Sequence, residues 1–170
     1  PPPPPEPFQC PTPAPIVGGT TRPTCLGGDC NYWGPLKASD GVFKGLGSLA
    51  HTAYAINPSI TFNLSSARSD IESVKFWARG DGYWWEATNL TITLHSAADP
   101  AAAGAVVCGE RAGVPAAGGS FEVGCPPSSN ILYVTVQRFD TGYTWLSLQE
   151  IQVLYDGELT GRVHADGRAR

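Results

Sequence analysis

Five short runs of the chain are bounded by turn formers; four of them place apolar residues at alternate positions, and the fifth, 131–139, is rich in Val and aromatic residues. In 59–64 (SITFNL) the alternating set is Ile60, Phe62 and Leu64, and in 89–96 (NLTITLHS) it is Leu90, Ile92 and Leu94. In 71–78 (IESVKFWA) Val74 and Phe76 share one phase, while Ile71 falls in the other. The runs 131–139 (ILYVTVQRF) and 145–155 (WLSLQEIQVLY) complete the set. A period of two gathers alternate side chains on one face of a strand, and an apolar face must be buried against another layer. Between the runs, at 57–58, 79–82, 98–100, 126–130 and 140–142, stand Pro, Gly, Asp, Asn and Ser, the residues that make turns. No stretch carries a convincing helical period; the Ala-rich 97–105 is broken by Pro100 and Gly104. The expected class is all-β, an antiparallel sandwich or barrel.

At 170 residues and 42% hydrophobic, the chain can bury the core of one sizeable domain. Residues 1–24 (PPPPPEPFQCPTPAPIVGGTTRPT) depart from the alternating pattern. A proline run fixes φ and favours a polyproline II rod without internal hydrogen bonds, so 1–24 is expected to be a stalk or linker, 25–157 the globular domain and 158–170 a polar tail. The composition of the first segment resembles that of hydroxyproline-rich cell-wall glycoproteins. The net charge of −4 lacks the basic footprint of a nucleic-acid binder, and no apolar run approaches the roughly 18–20 residues of a membrane span.

There are five cysteines, at 10, 25, 30, 108 and 125. The segment CLGGDC favours a Cys25–Cys30 bridge closing a short loop, with Cys10 left for another partner, although either of those two could instead be the odd thiol. The spacings match no zinc template, and His51, His95 and His164 are scattered. Two sequons, at Asn63 and Asn89, are candidate N-glycosylation sites and together with the cysteines favour an extracellular location.

Two loops carry the chemistry. The Gly-rich stretch 37–48 (KASDGVFKGLGS) holds one carboxylate, Asp40, followed by Gly. A loop of that length can wind around a hard cation and offer several carbonyls together with the side-chain oxygens of Asp40 and Ser48. In 145–155 the alternation slips: Leu146 and Leu148 share one phase, Ile151, Val153 and Tyr155 the other. A β-bulge at Gln149–Glu150 would push Glu150 out of the ladder as a second carboxylate ligand, with Gln149 adding an oxygen. The alternatives are that the strand ends there and that Asp40 only caps its turn. The second loop, 77–86 (WARGDGYWWE), sets Tyr83, Trp84 and Trp85 beside Arg79, Asp81 and two glycines. Such rings can stack on the apolar face of a pyranose with Arg79 and His51 as polar clamps, or fold back over the edge of the sandwich.

The ordered blocks SDG, GSLAHTAYAINPSITFNL, IESVKFWARGDG, LTITL, VVCGE, FEVGC, ILYVTV and LSLQEIQVLY, spanning about 36–156, resemble the F-type lectin (fucolectin) family within the discoidin and coagulation factor 5/8 C-domain superfamily. The resemblance implies an eight-stranded jelly roll with a structural calcium beside a carbohydrate site on the loops. It implies a calcium set of Asp40, Ser48, Gln149 and Glu150 with carbonyls near Lys37 and Val42, and it pairs Cys108 with Cys125. In the sugar site His51, Arg79 and Asp81 match the family pattern. The family's second basic residue is Glu86 here, and Gly82 and Tyr83 stand where it has adjacent cysteines. An acid in a guanidinium's place exchanges a donor for an acceptor, which puts fucose recognition of the family's usual kind in doubt.

The expected function is therefore that of an extracellular, calcium-stabilised carbohydrate-binding module on a Pro-rich stalk, with ligand contacts from His51, Arg79, Tyr83, Trp84, Trp85 and Glu86. The partner would be a glycan or glycoprotein. The alternative is a structural or adhesion module of a cell-wall or cell-surface fibre, whose aromatic loop docks a neighbour's polyproline rod, giving homotypic assembly. No Ser/His/Asp order, paired catalytic carboxylates or phosphate-binding Gly loop is apparent, so no enzyme activity is expected.

Overall fold

The alternating runs form strands, and each buries the face that its period selects. The computed structural model describes residues 12–155, apart from 44, 46, 100–102 and 114. The strands are β1 (Thr12–Pro13), β2 (Ile16–Arg22), β3 (Ala50–His51), β4 (Ala55–Ile56), β5 (Ser59–Arg68), β6 (Ile71–Trp77) and β7 (Leu90–His95). They continue with β8 (Val106–Arg111), β9 (Ser120–Gly124), β10 (Ile131–Arg138), β11 (Tyr143–Thr144), β12 (Ser147–Leu148) and β13 (Glu150–Tyr155). One sheet has the order β1-β13-β6-β9 and the other β2-β5-β10-β7-β8, while β11-β4 and β12-β3 are two-stranded ribbons. Every pairing is antiparallel. The expected antiparallel sandwich is what forms.

Register explains the packing. Phe62 stands opposite Val134, and Val134 opposite Leu94; Ile60, Val136 and Ile92 make the neighbouring row. Across the core, Ile151 faces Phe76 and Phe76 faces Phe121, with Val153, Val74 and Val123 alongside. Both sets of rows belong to one hydrophobic cluster. Burying each large side chain contributes about 1.5–3 kcal/mol, and cross-strand neighbours on one face add their own contacts. The out-of-phase Ile71 is reconciled by a bulge: Ser73 pairs with Leu154 but Ile71 with Tyr155, so Glu72 is the extra residue and Ile71 regains the core.

Two expectations are corrected. Residues 12–22, assigned to the stalk, are strands of both sheets. Pro13 lies in β1 at a sheet edge, where a missing amide proton is harmless. In β2 a Cβ on Gly19 would lie 2.3 Å from the carbonyl of Thr61, so the close approach to β5 requires glycine. Proline and glycine thus sit in the strands as edge and contact residues rather than as linker. The Pro run, Cys10 and the polar tail lie outside the described residues.

The phase slip at Gln149–Glu150 is not a bulge. Leu148 pairs with Ala50 in the β3–β12 ribbon, and Glu150 pairs with Trp77 in the four-stranded sheet. The chain changes partners at Gln149, whose amide donates to the carbonyl of Trp77 at 2.9 Å. Each half keeps its own core phase, so Leu148 and Ile151 are both buried.

Disulfides join Cys25 to Cys30 and Cys108 to Cys125. The second joins β8, in one sheet, to the residue after β9, in the other. With a separation of 17 residues, it contributes about 3 kcal/mol in the chain-entropy account.

Candidate functional site

The loop before β3 and the partner switch at Gln149 meet at one corner. Asp40 accepts from the Val42 amide through Oδ1 (3.0 Å) and from the Ser48 hydroxyl through Oδ2 (2.8 Å). Gly41, at φ +77°, makes the turn that its Asp-Gly sequence anticipates. The side-chain amide of Gln149 donates to three carbonyls, those of Val42 (3.4 Å), Gly45 (3.2 Å) and Ser48 (2.6 Å), so three oxygens converge on one point. Glu150 is 3% exposed, and its Oε2 is a buried atom with no hydrogen-bond partner. Burial first, and the charge of Asp40 second, raise its carboxyl to about 7 against a lowering bond from the Gly41 amide. An unpaired buried carboxylate oxygen beside a second carboxylate costs free energy, and a cation would offset that cost. Among the described residues no cluster of three or more His, Cys, Asp or Glu gathers to hold a metal. The donors here are two carboxylates, carbonyls and a hydroxyl, a set suited to a hard cation rather than to zinc. Lys37 lies in the 3₁₀ turn Pro35–Ser39 that leads into Asp40.

The second feature is a cavity of about 380 Å³ lined by Leu26, Trp33, His51, Arg79, Tyr83, Trp85, Glu86 and Trp145. Local chemistry places each wall. Asp29 caps the helical turn α1 (Cys30–Trp33) by accepting from the amides of Asn31 and Tyr32, both at 3.1 Å, and this delivers Trp33. Trp33 meets His51 edge to face at 5.7 Å. Asp81 makes the next wall: its carboxylate receives Arg79 through Nε (3.0 Å) and Nη2 (2.6 Å), and Oδ1 also accepts the Tyr83 amide at 3.1 Å. One side chain thus clamps the guanidinium in a fork and starts the turn that carries the aromatic residues. Arg79 is buried, so this Arg-Gly-Asp triplet does not present its guanidinium outward.

Glu86 lies at the floor. Its Oε2 accepts from Arg79 Nη1 (2.9 Å) and the Ser147 hydroxyl (2.6 Å), and lies 3.3 Å from His51 Nε2. His51 Nδ1 faces the carbonyl of Thr52 at 2.7 Å and must carry a proton to do so. Burial opposes ionisation of Glu86, but the bonds from His51 and Ser147 and the charges of His51 and Arg79 outweigh it, holding the carboxyl below its ordinary range. Arg138 braces the walls from behind. It donates through Nη1 to the carbonyls of Glu86 (3.3 Å) and Trp145 (2.9 Å), pairs with Asp140, and lies over the Trp85 ring at 5.6 Å.

Of the residues expected at the ligand site, His51, Arg79, Tyr83, Trp85 and Glu86 therefore line one cavity. Trp84 does not: it packs against the hydrophobic core. Trp84–Ala87 form a 3₁₀ turn, and three residues per turn send consecutive side chains in different directions. Sequence reasoning missed Trp33, Trp145 and the brace Arg138. Each lies far along the chain from the aromatic loop, and no spacing announces them. The sequon asparagines are both half-buried. Asn63 lies within β5, while Asn89 donates to Asp140 and accepts from the Gly113 amide.

No protein-family model and no curated protein sequence matches the chain. Solved structures do. The F-lectin (fucolectin) from striped bass (Morone saxatilis) serum has a TM-score of 0.66 at 20% identity, over 81% of this chain and 45% of that one. The lectin domain of lectinolysin, solved with Lewis B antigen, has a TM-score of 0.57 at 21% identity, over 84% and 93%. An F5/8 type C domain from Bacteroides fragilis has a TM-score of 0.59 at 12% identity, over 83% and 95%. The chain has the fold of the F-type lectin and discoidin superfamily. It spans less than half the length of the striped bass lectin.

Proposed function

We propose that the chain is an extracellular, non-enzymatic carbohydrate-binding module whose loop end is stiffened by calcium and whose aromatic cavity takes a neutral sugar ring. One observation carries this reading: four rings, Trp33, Tyr83, Trp85 and Trp145, wall a cavity over a buried polar floor. Apolar faces of a pyranose stack on such rings, and a few fixed polar groups orient it. Arg79 stands between two carboxylates, Asp81 and Glu86, so the floor carries little free positive charge for an anionic sugar. Glu86 already engages His51 and Arg79, so the ligand is not held through the full donor set of a fucose-binding lectin. The fold neighbours support the class, since the lectinolysin domain was solved with a Lewis antigen. The two disulfides support an oxidising, extracellular setting.

The cation corner fits calcium. Asp40 and Glu150 would ligate it, together with the Ser48 hydroxyl; the carbonyls of Val42, Gly45 and Ser48 now accept from the Gln149 amide nitrogen, and an ion there would take that nitrogen's place among them. Bound there, calcium would neutralise two acids and tie the 40–48 loop to β13. The test is binding of the folded protein to a glycan array, followed by calorimetry on the hits. Trp33→Ala and Tyr83→Ala are expected to weaken binding at least tenfold without unfolding the domain. A folded domain that binds no glycan sinks the reading.

A second reading, a fibre or adhesion head, is favoured by the same floor, whose donors His51, Arg79 and Ser147 are engaged by the carboxylates of Glu86 and Asp81 and leave mainly ring surface. Its partner would be a polyproline rod, since aromatic grooves suit that preformed conformation.

A further inference from the structure

The β4–β11 ribbon carries an aromatic ridge that neither reading uses. Tyr54 packs on Trp145 with centroids 4.3 Å apart and on Tyr143 at 5.5 Å, with tilts of 39° and 34°. Tyr143 is the register partner of Ile56, and register partners share one face of an antiparallel pair. Tyr54, Ile56 and Tyr143 are 53%, 56% and 62% exposed. Three adjacent large apolar side chains left in water mark an interaction surface rather than scattered exposure.

The ridge has a cavity at each end. Trp145 belongs to the ring-walled cavity just described. Ile56 belongs to another, of about 550 Å³, which also involves Arg22, Asn57, Thr93, Thr135 and Gln137. Its floor is the outward side of the five-stranded sheet, where Thr135 stands opposite both Thr61 and Thr93. Behind it, buried hydroxyls are held in place: Thr135 Oγ1 lies 2.8 Å from Thr61 Oγ1 and 2.7 Å from His95 Nε2. This second cavity is walled by hydroxyls, amides and the oppositely charged side chains of Arg22 and Asp99 beside Pro23, Ala55 and Ile56, unlike the ring-walled first.

We propose that the module, granted the carbohydrate reading above, binds an internal stretch of a neutral glycan chain rather than a terminal sugar. One unit lies in the ring-walled cavity, the next cross the Tyr54–Tyr143 ridge, and a further unit lies over the polar second cavity, whose Arg22 and Asp99 carry opposite charges. The ridge is continuous with the candidate site through Trp145, which selects a ligand longer than one ring. The polar far end selects sugar over polyproline: a proline residue offers a carbonyl and no donor, whereas each sugar unit brings donors and acceptors as well as an apolar face.

The experiment is calorimetry of the whole chain with neutral gluco-, galacto- and manno-oligosaccharides of one to six units, for wild type and the Tyr54→Ala/Tyr143→Ala variant. Both tyrosines are exposed, so the fold should survive, which circular dichroism checks. Affinity is expected to rise about tenfold or more with length and then level off. The variant should lose that gain while keeping monosaccharide affinity within about twofold. Equal affinity for one and six units overturns the inference and leaves the carbohydrate reading standing. Loss of monosaccharide binding in the variant also overturns it, by placing the ridge within the first subsite. So does tight binding of a residues 1–11 peptide that the variant abolishes, with no length dependence for sugars. Absence of binding to every saccharide removes both readings together.

Discussion

Glu86 decides the character of the cavity floor. Its carboxylate serves Arg79, His51 and Ser147 at once. Its carboxyl is held below the ordinary 4.5, so it contributes stability above that value, and the contribution is lost as pH falls through the folded-state value. Glu86→Gln should therefore destabilise the domain by about 3–5 kcal/mol near neutrality, because it strands buried partners, with a smaller penalty near pH 3. Denaturant melts of both proteins across that range check this; a penalty independent of pH would refute it. Arg138 is a positioning residue with a comparable burden. Arg138→Ala removes donors from the Glu86 and Trp145 carbonyls and leaves Asp140 without its guanidinium. It should cost about 2–4 kcal/mol and weaken sugar binding though it does not line the cavity, which paired melts and titrations would reveal. The part of Glu86 was half legible beforehand. Its sequence position announced an acid where a base was expected, but its partner Ser147 is 61 residues away, a distance no local pattern reports.

The β-strands were the most legible elements, although the outward-facing Thr61, Thr135 and His95 are buried too. In β5 and β7 the alternation maps directly onto the core rows. Phe76 is fully buried between Ile151 and Phe121, so Phe76→Ala should cost about 3–5 kcal/mol, read from a shift in denaturation midpoint at unchanged slope. Reducing the Cys108–Cys125 bridge should cost about 3 kcal/mol, measured with the paired Ser variant. The edge strands β1 and β2 escaped notice because prolines and glycines fill them. At an edge, half of the backbone groups need no partner, so a composition that would break a central strand is tolerated. The slip at Gln149 was visible as a phase change, but its cause was not. A bulge and a change of partner leave the same trace in a sequence.

The whole sandwich brings the 40–48 loop to β13, and with it Asp40 to Glu150. With a chelator present, the raised carboxyl of Glu150 means that stability should fall as pH rises from about 4.5 to about 7, because the folded state holds the proton longer than the unfolded chain. Calcium should reverse that trend by favouring the ionised form. Glu150→Gln should then be more stable than wild type by about 1–3 kcal/mol at pH 8 in chelator, and less stable in excess calcium. Thermal melts of the two proteins with and without calcium test the crossover; parallel curves would refute it. Among the described residues no helix is long and apolar enough to cross a membrane. The order of short apolar runs was enough to specify an antiparallel all-β fold, sandwich or barrel, since period-two burial acts between near neighbours on each strand; the two-sheet arrangement is read from the structure. The ring-walled cavity came from elsewhere. Trp33, Trp85 and Trp145 are separated by tens of residues and meet because α1, the 3₁₀ turn and the segment after β11 end at one side of the sandwich. Local propensity acts over a few residues, while a binding site depends on which chain ends the sheets bring together.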